Sequence, residues 1–189
     1  MKSQKQFLTE LIEFFKKTEI EYMISGSLGS SLHGEPRATN DVDLIIAPTL
    51  SQLNTFLSLI SDNDYYVNND TALEAFQNKL MFNIIDKKTG WKADIIIRKN
   101  RPFSIKEFER RMHGTIFGIE TFVVSPEDAI LSKLEWAKKS NSTIQYKDAL
   151  GILTIKENSI DKMYLKEWAH KLSLTQLLEQ LFKDASHLL

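Results

Sequence analysis

Residues 26–46 read GSLGSSLHGEPRATNDVDLII: a Gly-Ser pair, small residues, a turn-rich loop, then two aspartates one residue apart entering an apolar run. Just upstream, YMIS (22–25) reads as a short apolar strand that stops at Gly26, where glycine permits a sharp change of direction. Ser27 to His33 suits a short helix, closed by Gly34 and the turn residues EPRATN. Asp43 to Ala47 reads as a second strand, which Pro48 ends. Strand side chains alternate faces, so Asp41 and Asp43 share one face and Val42 takes the other.

Two carboxylates so placed repel each other unless a cation lies between them. A hard divalent cation with oxygen ligands, Mg²⁺ first and Mn²⁺ next, resolves that conflict. Asp94 opens another apolar strand, ADIII, and supplies a third carboxylate. Three aspartates from two strands suit metal ions that activate an attacking hydroxyl and steady leaving phosphates. The turn from strand to helix at Gly26 and Ser27 offers backbone N–H groups and a helix dipole favourable to phosphate. Each feature alone is common in strands that carry no site. Their order and spacing together point to nucleoside triphosphate chemistry.

Working outward, Phe7, Leu8, Leu11, Ile12 and Phe15 recur at helical spacing and predict a helix over about 3–17. Leu50 to Ile60 reads as another, with Leu53, Phe56, Leu57 and Ile60 on one face. LMFNII (80–85) and ADIIIR (93–98) flank DKKTGWK as an antiparallel hairpin. Ile105 to Met112 suits a short helix, and 115–124 a strand or a tight hairpin around Gly118. Ser125, Pro126, Glu127 and Asp128 combine a capping serine, proline at the first helical position and acids in the first turn. From there the pattern is helical over about 126–139, 143–156, 161–172 and 174–183.

Length and composition set the outer bounds. At 189 residues the chain suits one domain, and 42% hydrophobic residues suffice for a sizeable core. Lys and Arg number 24 against 25 Asp and Glu, so net charge makes no case for a nucleic-acid or membrane binder. The absence of cysteine excludes disulfides, thiolate metal sites and cysteine nucleophiles. The first residues carry charges throughout, unlike a signal peptide, and no apolar run approaches the roughly 20 residues that span a bilayer. A cytoplasmic protein without a membrane partner is expected.

The run Ile24-Ser25-Gly26-Ser27, a thirteen-residue spacer, then Asp41-Val42-Asp43-Leu44 resembles the motif of nucleotidyltransferases of the DNA polymerase β type. Asp94 stands where that family places its third carboxylate. Arg37-Ala38-Thr39-Asn40-Asp41-Val42-Asp43 is similar to the R-x-T-x-D-x-D form of bacterial AbiEii-toxin-type nucleotidyltransferases. Those proteins also carry a lysine and a later aspartate on C-terminal helices, matched here by Ser132-Lys133-Leu134 and Lys147-Asp148-Ala149. The likeness covers most of 20–155, and the chain is shorter than many such toxins.

The resemblance implies an α/β nucleotidyltransferase fold. Its mixed, mostly antiparallel sheet would be backed by helices, with a core over 1–125 and a helical part over 126–189 closing the cleft as one compact unit. It implies transfer of a nucleoside monophosphate from an NTP to a hydroxyl, with RNA or protein as acceptor, in a toxin–antitoxin or phage-defence setting. Asp41, Asp43 and Asp94 would hold Mg²⁺ or Mn²⁺, with Asp94 the base for the acceptor. Gly26, Ser27, Arg37 and Lys133 would bind the nucleotide, and Asp148 would orient Lys133 or the acceptor. Two alternatives stay open: a nucleotide-binding regulator or antitoxin-like partner without turnover, and a nucleotidyltransferase acting on a small molecule such as an antibiotic.

The helical wheel places Lys133 within an apolar arc of Ala129, Ala137 and Trp136, away from the charged face of Glu127, Asp128, Glu135, Lys138 and Lys139. That suits a phosphate-facing lysine, and equally one whose stem runs along the core edge. Asp148 lies between Ile152 and Ile155, as a lysine-paired aspartate also would. Arg98, Lys99 and Arg101 form a basic patch after the Asp94 strand, more in keeping with a solvated strand end than with an RNA contact. His33 and His113 lack metal-ligand spacing and read as structural. Trp91, Trp136 and Trp168 read as core or core-edge residues.

Overall fold

The computed structural model describes residues 2–36, 39–60 and 64–188. The chain forms two compact units, one of residues 1–28 and 38–123, the other of 29–37 and 124–189.

The first unit begins with α1 (Gln4–Lys17), started by a capping box between Ser3 and Gln6. Then follow β1 (Tyr22–Ile24), the start of α2 (Gly26–Ser31), β2 (Asp41–Ile46), α3 (Leu50–Leu59), β3 (Tyr65–Tyr66) and α4 (Asn69–Asn78). β4 (Met81–Asp86), β5 (Lys92–Ile97), α5 (Pro102–Glu109), β6 (Met112–Ile116) and β7 (Ile119–Val123) complete it. Among the described residues the strands make one seven-stranded sheet in the order β3-β4-β5-β2-β1-β7-β6. Four neighbouring pairs are antiparallel, and β1–β7 and β2–β5 are parallel. The sheet is therefore mixed and mostly antiparallel, as expected.

Burial alternates along β2, β4 and β5. Val42, Leu44 and Ile46 of β2 and Ala93, Ile95 and Ile97 of β5 are buried, together with Phe82 and Ile84 of β4. They join one core cluster with Phe7, Leu8, Leu11 and Phe15 of α1 and Leu53 and Phe56 of α3. Burying each such side chain stabilises the fold by about 1.5–3 kcal/mol. The alternate residues, Asp41 and Asp43 of β2 and Lys92 and Asp94 of β5, are only half-buried on the other face. The same pleat that builds the core thus presents the acids.

Element boundaries differ from expectation where local chemistry competes with apolar spacing. β2 begins at Asp41, because pairing with β5 extends through both aspartates. The helix expected over Ile105–Met112 begins at Pro102, whose fixed φ suits a first turn, and Met112 joins β6. α4 and the two-residue β3 were not expected. α4 buries only Ala72 and Ala75, so its apolar stripe is faint, although Asn68 caps it by accepting from the Thr71 N–H at 2.9 Å. The hairpin of β6 and β7 turns on Phe117 and Gly118, both at positive φ (53° and 75°), as a tight two-residue turn requires.

The second unit is helical. It contains α6 (Pro126–Ser140), α7 (Thr143–Lys156), a 3₁₀ turn (Glu157–Ser159), α8 (Lys162–Lys171) and α9 (Thr175–Ser186). Ser125 caps α6 as the sequence indicates, and Asn141 ends it in the left-handed conformation at φ 50°. Residues 29–37, which include the end of α2, belong to this unit. His33 is buried with Nε2 2.7 Å from the Val124 carbonyl oxygen, which accords with a structural role. A side chain at Gly34 would press on Ile152 of α7, with Cγ1 at 3.0 Å and the backbone nitrogen at 3.1 Å.

Two expectations about α6 are corrected. Glu127 and Asp128, read as part of the charged face, are buried. Asp128 accepts from the Ser125 and Tyr164 hydroxyls, each at 2.6 Å, and Glu127 accepts from the Asp161 N–H at 3.1 Å. Acids that begin a helix can be drawn inward when neighbouring donors satisfy them. Trp136, expected at the core edge, is 62% exposed. Trp91 is half-buried and donates its indole N–H to the Lys2 carbonyl at 3.1 Å, and Trp168 is buried. Among the described residues no helix is long and apolar enough to cross a membrane.

Candidate functional site

The Gly-Ser turn and the first aspartate strand are fitted together through Gly26. Its φ of +59° lies in the left-handed region, and the Ser25 N–H donates to the Asp43 carbonyl at 2.9 Å. An ideal Cβ on Gly26 would lie 1.8 Å from Asp43 Oδ2, 2.4 Å from its Cγ and 2.8 Å from its Cβ. Rotating the aspartate would move the carboxylate away but not its Cβ, which the strand backbone fixes. Glycine is therefore required by close approach as well as by φ. The carboxylate of Asp43 lies directly against the start of α2.

The parallel pairing of β2 and β5 sets the rest of the site. Its register places Asp41 beside Lys92 and Asp43 beside Asp94. The alternation of faces brings all four side chains to one side of the sheet. The Lys92 ammonium lies 3.3 Å from Asp41 Oδ2 and 3.3 Å from Asp94 Oδ1. Across the antiparallel neighbour β4, Asn83 stands opposite Asp94 and donates its amide to Asp94 Oδ1. Partial burial alone would lower the Lys92 pKa, but the bonds and charges of Asp94, then of Asp41, outweigh it and hold that pKa above the usual lysine range. Lys92 thus sets an internal cation between Asp41 and Asp94.

Strand β2 is also anchored from its loop. Thr39 Oγ1 donates to the Asp41 carbonyl at 3.1 Å and accepts from the Asp41 N–H at 3.3 Å, while Gln4 donates to the Thr39 carbonyl at 3.0 Å. Arg37 lies outside the described residues. Lys92 and Asn83 went unpredicted for different reasons. Lys92 stands two residues before Asp94, so the alternation rule alone places it on the acid face. Finding Asn83 requires the β4–β5 register, which the sequence leaves open by a residue or two.

In the helical unit, Lys133 and Asp148 are brought together. The Lys133 ammonium donates to Asp148 Oδ2 at 2.8 Å, joining α6 to α7. Lys133 is buried among Ala129, Ile130, Leu134 and Ala137, the apolar arc its helical wheel describes, without Trp136. The arginines after β5 are engaged with aromatic rings: Arg98 lies over Phe108 at 5.7 Å and Arg101 over Phe103 at 5.4 Å.

The donor set of Asp41, Asp43 and Asp94 consists of hard oxygens on one sheet face beside a glycine cradle, and its chemistry fits a divalent cation. In the arrangement seen, Asp41 and Asp94 are turned to Lys92 and Asn83. Among the described residues no three carboxylate or imidazole groups converge closely enough to chelate a metal.

No family model matches the chain, and no curated protein matches it in sequence. Solved structures do match in shape. The solution structure of the antibiotic-resistance factor ANT(2'')-Ia superposes with a TM-score of 0.57 at 12% identity, over 97% of this chain and 95% of that one. The lincosamide antibiotic adenylyltransferase LnuA, with lincomycin bound, gives 0.56 at 10% identity, over 81% and 98%. An antigenic nucleotidyltransferase-like protein from Paracoccidioides brasiliensis gives 0.56 at 16% identity, over 95% and 91%. At such identities the likeness speaks to architecture alone: the chain has the nucleotidyltransferase fold.

Proposed function

We propose that this protein transfers a nucleoside monophosphate from an NTP to a hydroxyl acceptor and releases pyrophosphate. The observation that carries the reading is the in-register pairing of β2 and β5, which sets Asp43 beside Asp94, with Asp41 on the same face and Asp43 pressed against Gly26. In the step, the acceptor oxygen attacks the α-phosphorus, and the bond from that phosphorus to the bridging oxygen breaks. Pyrophosphate leaves with the electron pair, and the hydroxyl proton passes to Asp94. Asp41, Asp43 and Asp94 would hold Mg²⁺ or Mn²⁺, which when bound neutralises charge on the phosphate oxygens. Gly26 and Ser27 would receive phosphate oxygens, and the resemblance assigns Arg37 to the nucleotide as well. We assign Lys133 to the charge developing on the leaving group, and Asp148 to its orientation, from the resemblance at those positions and their 2.8 Å pair. Positioning and charge stabilisation carry most of such a reaction.

The AbiEii-like motif favours RNA or protein as acceptor, in a toxin–antitoxin or defence setting. A small-molecule acceptor is the second reading, favoured by the fold shared with LnuA and ANT(2'')-Ia. The test incubates the protein and Asp43→Ala with each α-labelled NTP and Mg²⁺, in separate reactions with cellular RNA, cellular protein, lincomycin and tobramycin. Labelled acceptor from the wild type, reduced about a thousandfold or more in the variant, is expected, a loss of about 4 kcal/mol in transition-state stabilisation. Equal labelling by both sinks the assignment. Thermal stabilisation by NTP and Mg²⁺ without any labelling identifies a non-catalytic nucleotide-binding regulator instead.

A further inference from the structure

We propose that Lys92 is a resident counter-ion of the carboxylate face, a positioning residue that a divalent cation must displace before Asp41 and Asp94 can ligate it. The inference rests on the metal-binding part of the proposed function, and it deepens that reading by naming the group a metal would have to displace.

Three observations converge. The ammonium is equidistant from two acids on different strands, at 3.3 Å from each. Its place is set by backbone register rather than by a surface encounter, since Lys92 is the direct partner of Asp41 and stands two residues before Asp94 on the same face. It is one-third exposed, while the Asp94 side chain is only 15% exposed, so the lysine can swing outward without unpacking the core. Lysine suits this task better than arginine. Its ammonium is a compact point charge on a flexible stem, whereas a guanidinium grips a carboxylate through two planar bonds.

The consequence is competition. Metal binding to the free protein must break both lysine contacts, so affinity in the absence of nucleotide is weak. A polyanionic triphosphate offers the displaced ammonium a new partner, so metal and nucleotide favour each other's binding.

The experiment titrates Mn²⁺ into the metal-free protein without nucleotide and reads free Mn²⁺ by electron paramagnetic resonance. Wild type is compared with Lys92→Gln, Lys92→Met and Lys92→Arg, and with Lys88→Gln, which removes an exposed lysine paired with Asp64. Lys92→Gln and Lys92→Met are expected to bind Mn²⁺ about tenfold more tightly than wild type, the scale of one displaced ion-pair contact. Lys92→Arg and Lys88→Gln should bind as wild type or more weakly. Melting in chelator should show the glutamine variant folded, and added Mn²⁺ should raise its Tm more than that of wild type. Equal or weaker Mn²⁺ binding by the folded glutamine and methionine variants overturns the proposal, as does an equal gain in Lys88→Gln, or no binding by any variant. The nucleotidyl-transfer reading is judged separately, by label transfer from the wild type, and does not fall with this one.

Discussion

Asp86 and Asp94 lie on neighbouring strands of one sheet and each has a lysine as partner, yet they are held in different ways. Asp86 ends β4 and is only 1% exposed. Its own turn supplies three donors: the Lys88 N–H at 3.0 Å, the Thr89 N–H at 2.9 Å and the Thr89 hydroxyl at 2.8 Å. Lys2 closes the set at 2.8 Å and is itself pinned by Glu10 at 2.7 Å and the Tyr65 hydroxyl at 3.1 Å. Burial alone would raise the Asp86 pKa, but bonds from Lys2 and Thr89 outweigh it and bring it down to about 2. Asp94 instead receives an amide from Asn83 and shares a single lysine with Asp41 at longer range. A scaffold acid collects donors from its own turn. Asp94, which the proposed function assigns to chemistry, shares its lysine with Asp41.

The largest effect that sharpens this contrast is expected at Gly26, against which Asp43 is closely packed. Gly26→Ala places a methyl 2.8 Å from Asp43 Cβ on a backbone at φ +59°. Overpacking and left-handed strain together should cost about 2–4 kcal/mol, read as a lowered urea midpoint with unchanged slope. Asp43→Ala should recover part of that loss in the double variant, because it removes the carboxylate that would lie 1.8 Å from the added methyl and leaves only the Cβ contact. Additive losses would show that Asp43 is not what Gly26 accommodates.

Next in size is Asp86→Asn. Its folded pKa of about 2, against 3.8 in an unpaired state, corresponds to about 2 kcal/mol of stability at neutral pH. The depressed pKa fixes the sign. That contribution is present above about pH 4 and is lost as pH falls toward 2, where the wild-type acid is itself protonated. The stability gap between wild type and Asp86→Asn should therefore be about 2 kcal/mol at pH 7 and close as pH approaches 2, followed by urea denaturation at several pH values. A gap independent of pH would assign Asp86 to shape rather than to charge.

The contrast also marks what could be read from the chain. The acid face was legible because it depends on parity: Asp41, Asp43 and the strand-opening Asp94 need only alternation to be gathered. α6 was legible because Ser125 and Pro126 are local signals of a helix start. Asp86 was not, for it reads as one more polar residue in the DKKTGWK turn, and its burial follows from Lys2, eighty-four residues away in sequence. Glu127 and Asp128 escaped for the same reason, since Tyr164 and the Asp161 N–H arrive from α8 and its start. Local patterns reveal which residues share a face. They do not reveal which distant donors will make a buried charge tolerable.

The smallest expected effect is the most discriminating. Three acids on one face would repel, and removing one would stabilise the metal-free protein if no cation answered them. Lys92 answers two of them, Asp41 and Asp94, so the relief from losing Asp94 is offset by the loss of one lysine contact. Lys92 keeps Asp41 in Asp94→Asn, and an amide at position 94 can still bond to Asn83 after that side chain turns over. In chelator the substitution should therefore change stability by less than about 1 kcal/mol in either direction, the range of partly exposed ion pairs. With Mg²⁺ and NTP present, wild type should gain stability by mass action and Asp94→Asn should gain less. Urea melts of both proteins under both conditions decide the matter. A loss near that of Asp86→Asn, equal with and without Mg²⁺ and NTP, would make Asp94 a second scaffold acid, and the distinction between the two acids would collapse.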